Sequence, residues 1–276
     1  MNKLTLVKVG GGIVEDDKSL AALLDKFAHI EGHKVLVHGG GRSATKVAEQ
    51  LGINQTMIGG RRITDAETLK VVTMVYAGLV NKNIVAQLQA RGVNALGLTG
   101  ADMNVIVSHR RPIKQVKMED GSVQPVDYGF VGDVDQVNAE LLAELISKGV
   151  VPVVSPIGHD KQGNLLNTNA DTIASQVAIA LAKHFEVTLM FCFEKRGVLS
   201  NPDDDNSVIP QITSTDFPRL VEEGIVSGGM LPKLENSFAA IAAGVSKVVI
   251  TQADNIDNPS EGTILRGCVE MGTSSF

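Results

Sequence analysis

Cysteine is scarce in this chain. Cys192 and Cys268 are the two in 276 residues, far apart, with no CxxC pair and no histidine at ligand spacing. That excludes a disulfide framework and a structural zinc site, and leaves two small residues suited to burial. Positive charge is also short: 25 Lys and Arg stand against 31 Asp and Glu, for a net charge of −6 and a pI near 5.5. Such a balance disfavours nucleic acid or any other polyanion as partner, so an anionic ligand needs a local site. No run approaches the roughly 18 uncharged apolar residues of a membrane helix. The first residues pass directly into a strand pattern, with no basic segment, apolar segment and cleavage site before it. A cytoplasmic protein without a membrane partner is expected. There is also no Pro/Ser-rich linker, no repeat of fixed period and no GxxxxGK[ST], which leaves P-loop chemistry unsupported.

What is present is the composition of an ordinary globular chain, 43% hydrophobic and 20% charged, long enough for one large α/β unit or two lobes. Apolar runs alternate with helical patterns, which predicts a three-layer αβα sandwich with a mostly parallel central sheet. Strands are expected at 4–9 (LTLVKV), 34–41 (KVLVHGGG), 94–100, 149–158, 187–193 and 247–252. Helices are expected over about 16–30, 43–52, 65–91, 138–148, 171–185, 214–223 and 233–243. Residues 104–137 alternate at period two around an Asp-Gly pair and read as an antiparallel hairpin region inserted in the sheet edge. One continuous sheet is expected to join an N-terminal lobe, 1–184, to a C-terminal lobe, 185–276.

Four stretches can carry chemistry. Lys8 sits inside the apolar run LTLVKV, and Gly10, Gly11 and Gly12 follow at once. Either the lysine snorkels from a strand end, or the glycines let N–H groups approach an anion while the lysine supplies charge. A second cluster, Gly39 to Gly41 in VLVHGGGRSA, fits GxGxxA between a strand and a helix. That is the dinucleotide fingerprint, and it serves equally as a phosphate cradle. The acidic residue the fingerprint requires about 20 positions on has no candidate, because Asp65 opens a helix. In LLNTNADTIA, Asn169 or Asp171 can cap the helix that follows, and Asn167 and Asn169 cannot both do so. One asparagine is then free for a ligand. Finally, SGGMLPKLE puts Lys233 at a helix start, the positive end of the dipole, a poor place unless an anion lies beside it. Two glycine turns, two lysines and one aspartate suit phosphoryl transfer, where positioning and charge neutralisation do most of the catalysis.

KVGGG, HGGG, GGRRITDAE, GFVGDV, VVPVVSPIG, LLNTNADTIA and GGMLPK occur here in the order found in the amino acid kinase family. The resemblance covers essentially the whole chain and is closest to the branch that phosphorylates N-acyl-glutamate in arginine biosynthesis. It implies the amino acid kinase fold, an N-terminal lobe for acyl-glutamate and dimer contacts, and a C-terminal lobe for ATP. It also implies roles. Lys8 and Lys233 match the lysines that neutralise the phosphoryl group, and Asp171 the aspartate that orients them. Gly11, Gly40 and Gly41 match the glycines that hold it, and Arg62 and Asn167 the residues that grip the substrate's carboxylate and amide. For ATP, Glu194, Lys195, Arg196, Gly197, Val198 and Leu199, with Ile225, Val226 and Ser227, correspond to the segments lining the nucleotide site. Glu194 stands where the family usually has aspartate.

The implied reaction takes ATP with Mg²⁺ and the γ-carboxylate of N-acetyl-L-glutamate to the acyl phosphate. The metal is expected to be held chiefly by phosphates and water, since the sequence shows no carboxylate cluster for it. A homodimer built through residues 65–91 is expected, insensitive to arginine, because no extra N-terminal helix precedes the first strand. Alternatives are a kinase for carrier-linked α-aminoadipate, a nicotinamide oxidoreductase and an inactive nucleotide-sensing relative. Arg61 is unusual in GGRRITDAE, where the family has an apolar residue. It either points to solvent or turns inward toward a second carboxylate, as on N-succinyl-L-glutamate.

Overall fold

The computed structural model describes residues 1–59, 61–118, 121–201, 203–227 and 230–267. Cys268, the two glycines of the GGM turn, Gly60 of GGRRITDAE and Asp120 of the Asp-Gly pair lie outside the described residues.

An eight-stranded sheet runs through the molecule. From edge to edge its strands are Gln211–Thr213, Thr263–Arg266, Lys247–Gln252, Glu186–Phe193, Lys3–Val9, His33–His38, Val151–Val154 and Ala95–Leu98. The first strand of the chain lies inside the sheet, parallel to Glu186–Phe193 on one side and to His33–His38 on the other. Both expected halves therefore share one sheet. All pairings are parallel except that of Lys247–Gln252 with Thr263–Arg266.

Strands covered on both faces read as continuous apolar runs, and alternation then sorts their side chains into two cores. Leu4 and Leu6 point to the layer holding helices Ala139–Ser147, Ala170–Leu181 and Met230–Ala242. Val7 and Val9 point to the layer of Asp17–His29, Gly41–Gln50 and the long helix Ala66–Gln89. That long helix is, by length and composition, apolar enough to cross a bilayer, a candidate the sequence reading did not find. Val71, Val72, Val75, Ile84 and Leu88 are buried in the core instead. Its middle, Met74–Val80, widens to a π-helix and brings Tyr76 and Val80 against Gly40.

Two expectations need correction. Residues 104–137 do not extend the edge of the main sheet. Ile106–Arg110 and Gly132–Val137 join Ile157–His159 and Leu165–Asn167 in a separate four-stranded sheet, and Lys114–Lys117 pairs with Val123–Val126 as a ribbon. The apolar stretch 149–158 is not one strand either: Val151–Val154 belongs to the main sheet and Ile157–His159 to the small one. Pro156 sits at the break between the two strands. Gln211–Thr213 and Thr263–Arg266, three and four residues long, were too short to carry a period.

Candidate active site

In an open parallel sheet, ligands bind at the carboxyl ends of the strands, where connections leave in opposite directions. Here that point is the end of Lys3–Val9, flanked by the ends of His33–His38 and Glu186–Phe193. Gly10 and the short helix Gly11–Glu15, the Gly39–Gly40 turn that leads into helix Gly41–Gln50, and the segment from Glu194 onward all emerge there. The position that a Cβ of Gly39 would take lies 3.6 Å from Gly11 N, so the two glycine segments abut.

Period two also explains the lysine. Lys8 shares a strand face with Leu4 and Leu6, the face covered by Ala170–Leu181 and Met230–Ala242. Asp171 and Lys233 stand in the first turns of those two helices. Lys8 Nζ lies 2.6 Å from Asp171 Oδ1, and Lys8 is only 7% exposed. Lys233 Nζ stands 3.7 Å from the centre of the Phe193 ring, with Lys8 Nζ 5.4 Å from the same ring. Burial holds the Lys233 ammonium below its ordinary pKa; Asp171 opposes that, the neighbouring Lys8 adds to it, and Glu194 opposes it again. Two ammonium groups thus share one close carboxylate. A corner with more positive than negative charge, half out of water, attracts an anion.

Beside this corner lies a cavity of about 300 Å³. Gly11, Gly39, Gly40 and Gly41 form one wall, Arg61, Arg62 and Met57 another, and Pro156 with Asn167 to Ala170 the third. A Cβ on Gly40 would stand 2.8 Å from Tyr76 Cδ1, so no larger residue fits there without moving the ring. The helix that follows, Gly41–Gln50, presents first-turn N–H groups that have no partner within the helix.

Asn169 proves to be the cap: its Oδ1 accepts from Asp171 N at 2.8 Å and from Thr172 N at 3.2 Å. Asn167 is thereby free, and its amide donates to Thr64 Oγ1 at 3.0 Å while the residue lines the cavity. Asp171, left uncapped, turns to Lys8. The Arg62 guanidinium donates to Gly41 O at 2.8 Å, to Thr45 Oγ1 at 2.9 Å and to Gln55 Oε1. All three acceptors are neutral, so among the described residues its charge has no ion-pair partner at the cavity wall.

The segments expected at a nucleotide are less uniform. Glu194 reaches across to Arg42 at 3.5 Å, whereas Lys195 and Arg196 pair outward with Asp205 at 2.7 Å and Glu261 at 2.9 Å. Gly197 packs on Thr263, and Thr263 Oγ1 accepts from Val198 N at 2.8 Å. Leu199 bridges to Val208. The Val198 and Val226 side chains belong to the core, so contacts from them would come through the backbone; Ile225 packs on that core and Ser227 is exposed. None of these nine lines the cavity. Sequence reasoning passed over Tyr76, under Gly40, and Phe193, the aromatic floor of the two lysines. Phe193 was legible as the residue on Phe191's side of the VTLMFCF alternation; Tyr76 was not, because the π-helix shifts its phase. Among the described residues no group of three or more His, Cys, Asp or Glu is placed to hold a metal ion.

The fold and this site define a three-layer α/β protein with an anion-handling corner next to a cationic, glycine-walled cavity. The chain belongs to the amino acid kinase family, whose model matches residues 3–252. It is 66% identical over 256 residues to the acetylglutamate kinase of Parabacteroides distasonis, covering 93% of this chain and 96% of that one. Identity to the acetylglutamate kinase of Bacteroides thetaiotaomicron is 65%, over 96% and 98% of the two chains. Among solved structures, smu.665 from Streptococcus mutans superposes with a TM-score of 0.74 at 28% identity, covering 95% and 98%.

Proposed function

We propose that this chain transfers the γ-phosphoryl group of ATP to the γ-carboxylate of an N-acyl-L-glutamate, the acetyl compound being the reference substrate, in arginine biosynthesis. The observation that carries this reading is the continuity of the two parts of the site. Ala170 lines the cavity, and the next residue, Asp171, holds Lys8.

A glutamate carboxyl, with a pKa of about 4.3, is already ionised at neutral pH, so the nucleophile needs no general base. Asp171 is engaged with Lys8 and acts as a positioning residue. The barrier is repulsion between a carboxylate and a polyphosphate, and Lys8 and Lys233 offset it at the transferring group. Gly11, Gly40 and Gly41 offer N–H groups to its oxygens, while Arg62 and Asn167 take the carboxylate and amide of the glutamate part. Mg²⁺ enters as part of the ATP substrate, held by phosphate and water, and supplies charge neutralisation.

Every described residue lining the cavity lies in 1–184, which supports that lobe as the acyl-glutamate side and 185–276 as the ATP side. Met74 at 54% and Leu79 at 61% exposure on the long helix support a homodimer through that face. With an acidic net charge and a buried apolar helix, the cytoplasm is the compartment that fits. ADP release should depend on ATP, Mg²⁺ and an N-acyl-glutamate together, with free glutamate and carrier-linked α-aminoadipate poor. ADP release at the same rate without an acyl-glutamate would refute the assignment.

A further inference from the structure

Arg61 and Arg62 are neighbours on a two-residue strand paired with Met57–Ile58, yet their surroundings differ. Arg62 is anchored to neutral acceptors at the glycine wall. Arg61 forms no ion pair among the described residues. It lines the first cavity and also a second, of about 390 Å³, bounded by Arg111, Lys114, Val116, Tyr128 and Asp133. Arg61 is the lining residue the two cavities share.

The second cavity is cationic. Arg61, Arg111 and Lys114 face a single carboxylate, Asp133, and Arg111 Nη2 already holds that carboxylate at 2.5 Å. Arg111 also stacks over Tyr128, its Cζ 5.8 Å from the ring centre, which fixes it in place. Burial, and next the adjoining Arg111, push the Arg61 guanidinium below its usual pKa, the sign of a cation crowded by a like charge. An apolar acyl methyl group gives such a place nothing to pair with. A carboxylate does, and guanidinium takes carboxylate bidentately.

The geometry points to a second carboxylate subsite at Arg61, Arg111 and Lys114, which takes the far end of a dicarboxylic acyl group, so that N-succinyl-L-glutamate is preferred to N-acetyl-L-glutamate. This rests on the acyl-glutamate reading above and names its acyl group. Because Arg61 lines both cavities, an acyl group that extends past it from the first would bring a terminal carboxylate to the second. A free inorganic anion in that space would leave the choice of acyl-glutamate unchanged.

The test compares three substrates of the full-length enzyme, N-acetyl-, N-succinyl- and N-succinamoyl-L-glutamate, the last equal in length to the succinyl compound but neutral at its end. Wild type should favour succinyl over succinamoyl by about tenfold in kcat/KM, the low end for a charge-assisted contact because the Arg61 guanidinium is only partly withdrawn from solvent. Arg61→Leu should lower the succinyl-to-acetyl ratio by about tenfold, and Arg61→Lys by less. An acetyl preference in wild type with the ratio unmoved by Arg61→Leu overturns the subsite, as does equal use of succinyl and succinamoyl. Calorimetric binding separates the two readings. A succinyl preference in affinity without turnover of any acyl-glutamate would sink the kinase assignment and leave the subsite standing.

Discussion

Lys8 and Asp171 meet at 2.6 Å where an interior strand of the sheet ends against the helix above it. Lys8 is buried, whereas the Asp171 side chain keeps 27% of its exposure. Removing the carboxylate leaves an ammonium without its counter-charge, which costs more than removing both. Asp171→Asn should destabilise the fold by about 1–3 kcal/mol, and Lys8→Met combined with Asp171→Asn should recover most of that. Urea unfolding of the two single variants and the double variant measures the coupling. Additive losses would mean that the pair contributes nothing to stability.

Arg62 owes its position to Gly41 O, Thr45 Oγ1 and Gln55. Its charge is available to a substrate carboxylate in the ground state and the transition state alike, so Arg62→Ala should raise KM for acyl-glutamate by about tenfold or more with a smaller change in kcat. A fall in kcat at constant KM would place Arg62 at the transferring group instead.

The acidity of Lys233 gives a pH signature. In the proposed reaction it works as an ammonium, and burial has already lowered its pKa from the usual lysine value. Activity should therefore decline on the alkaline side, with an apparent pKa below that of an ordinary lysine. Asp171 raises the Lys233 pKa, so Asp171→Asn should move that limb to still lower pH in kcat/KM profiles. A limb that stays put or moves upward contradicts the shared electrostatics of the three groups.

His38, fully buried at the end of its strand, accepts or donates at Nε2 to Asn81 over 3.0 Å and bonds Gly39 O through Nδ1 at 2.8 Å. A carbonyl only accepts, so Nδ1 carries the proton and Nε2 accepts from the Asn81 amide. Burial lowers the His38 pKa from 6.5 to about 4. The unfolded chain then binds the extra proton first as pH falls, so stability is full above about 6.5 and lost progressively toward about 4. The loss can approach about 3 kcal/mol at 1.36 kcal/mol per unit. Unfolding free energies between pH 4 and 7 should show this slope, and His38→Gln should flatten it. An equal slope in the variant would assign it to other groups.

Much of this site could be read from residue types and spacing, because its logic is local. A lysine at the end of an apolar run, glycines after two strands and a capped Asn-x-Asn-Ala-Asp each carry a physical reason within ten residues. The capping choice, by contrast, was open until the helix start showed Asn169 taking both N–H groups and Asp171 turning away. Long-range pairing was less legible. The alternation in 104–137 indicates strands without saying which sheet they join, and one apolar run divides between two sheets at Pro156. The cation cluster around Arg61 draws on residues 50 and more positions apart, which no local pattern reveals.

The most direct test of the account is the chemical step itself. Rapid-quench single turnovers, with ATP and acyl-glutamate saturating and the acyl phosphate trapped by hydroxylamine, should show Lys8→Ala and Lys233→Ala each slowing phosphoryl transfer by about 10²-fold or more, with the affinities for both substrates little changed. Transfer at the wild-type rate in either variant would contradict the claim that these two lysines neutralise the group in flight.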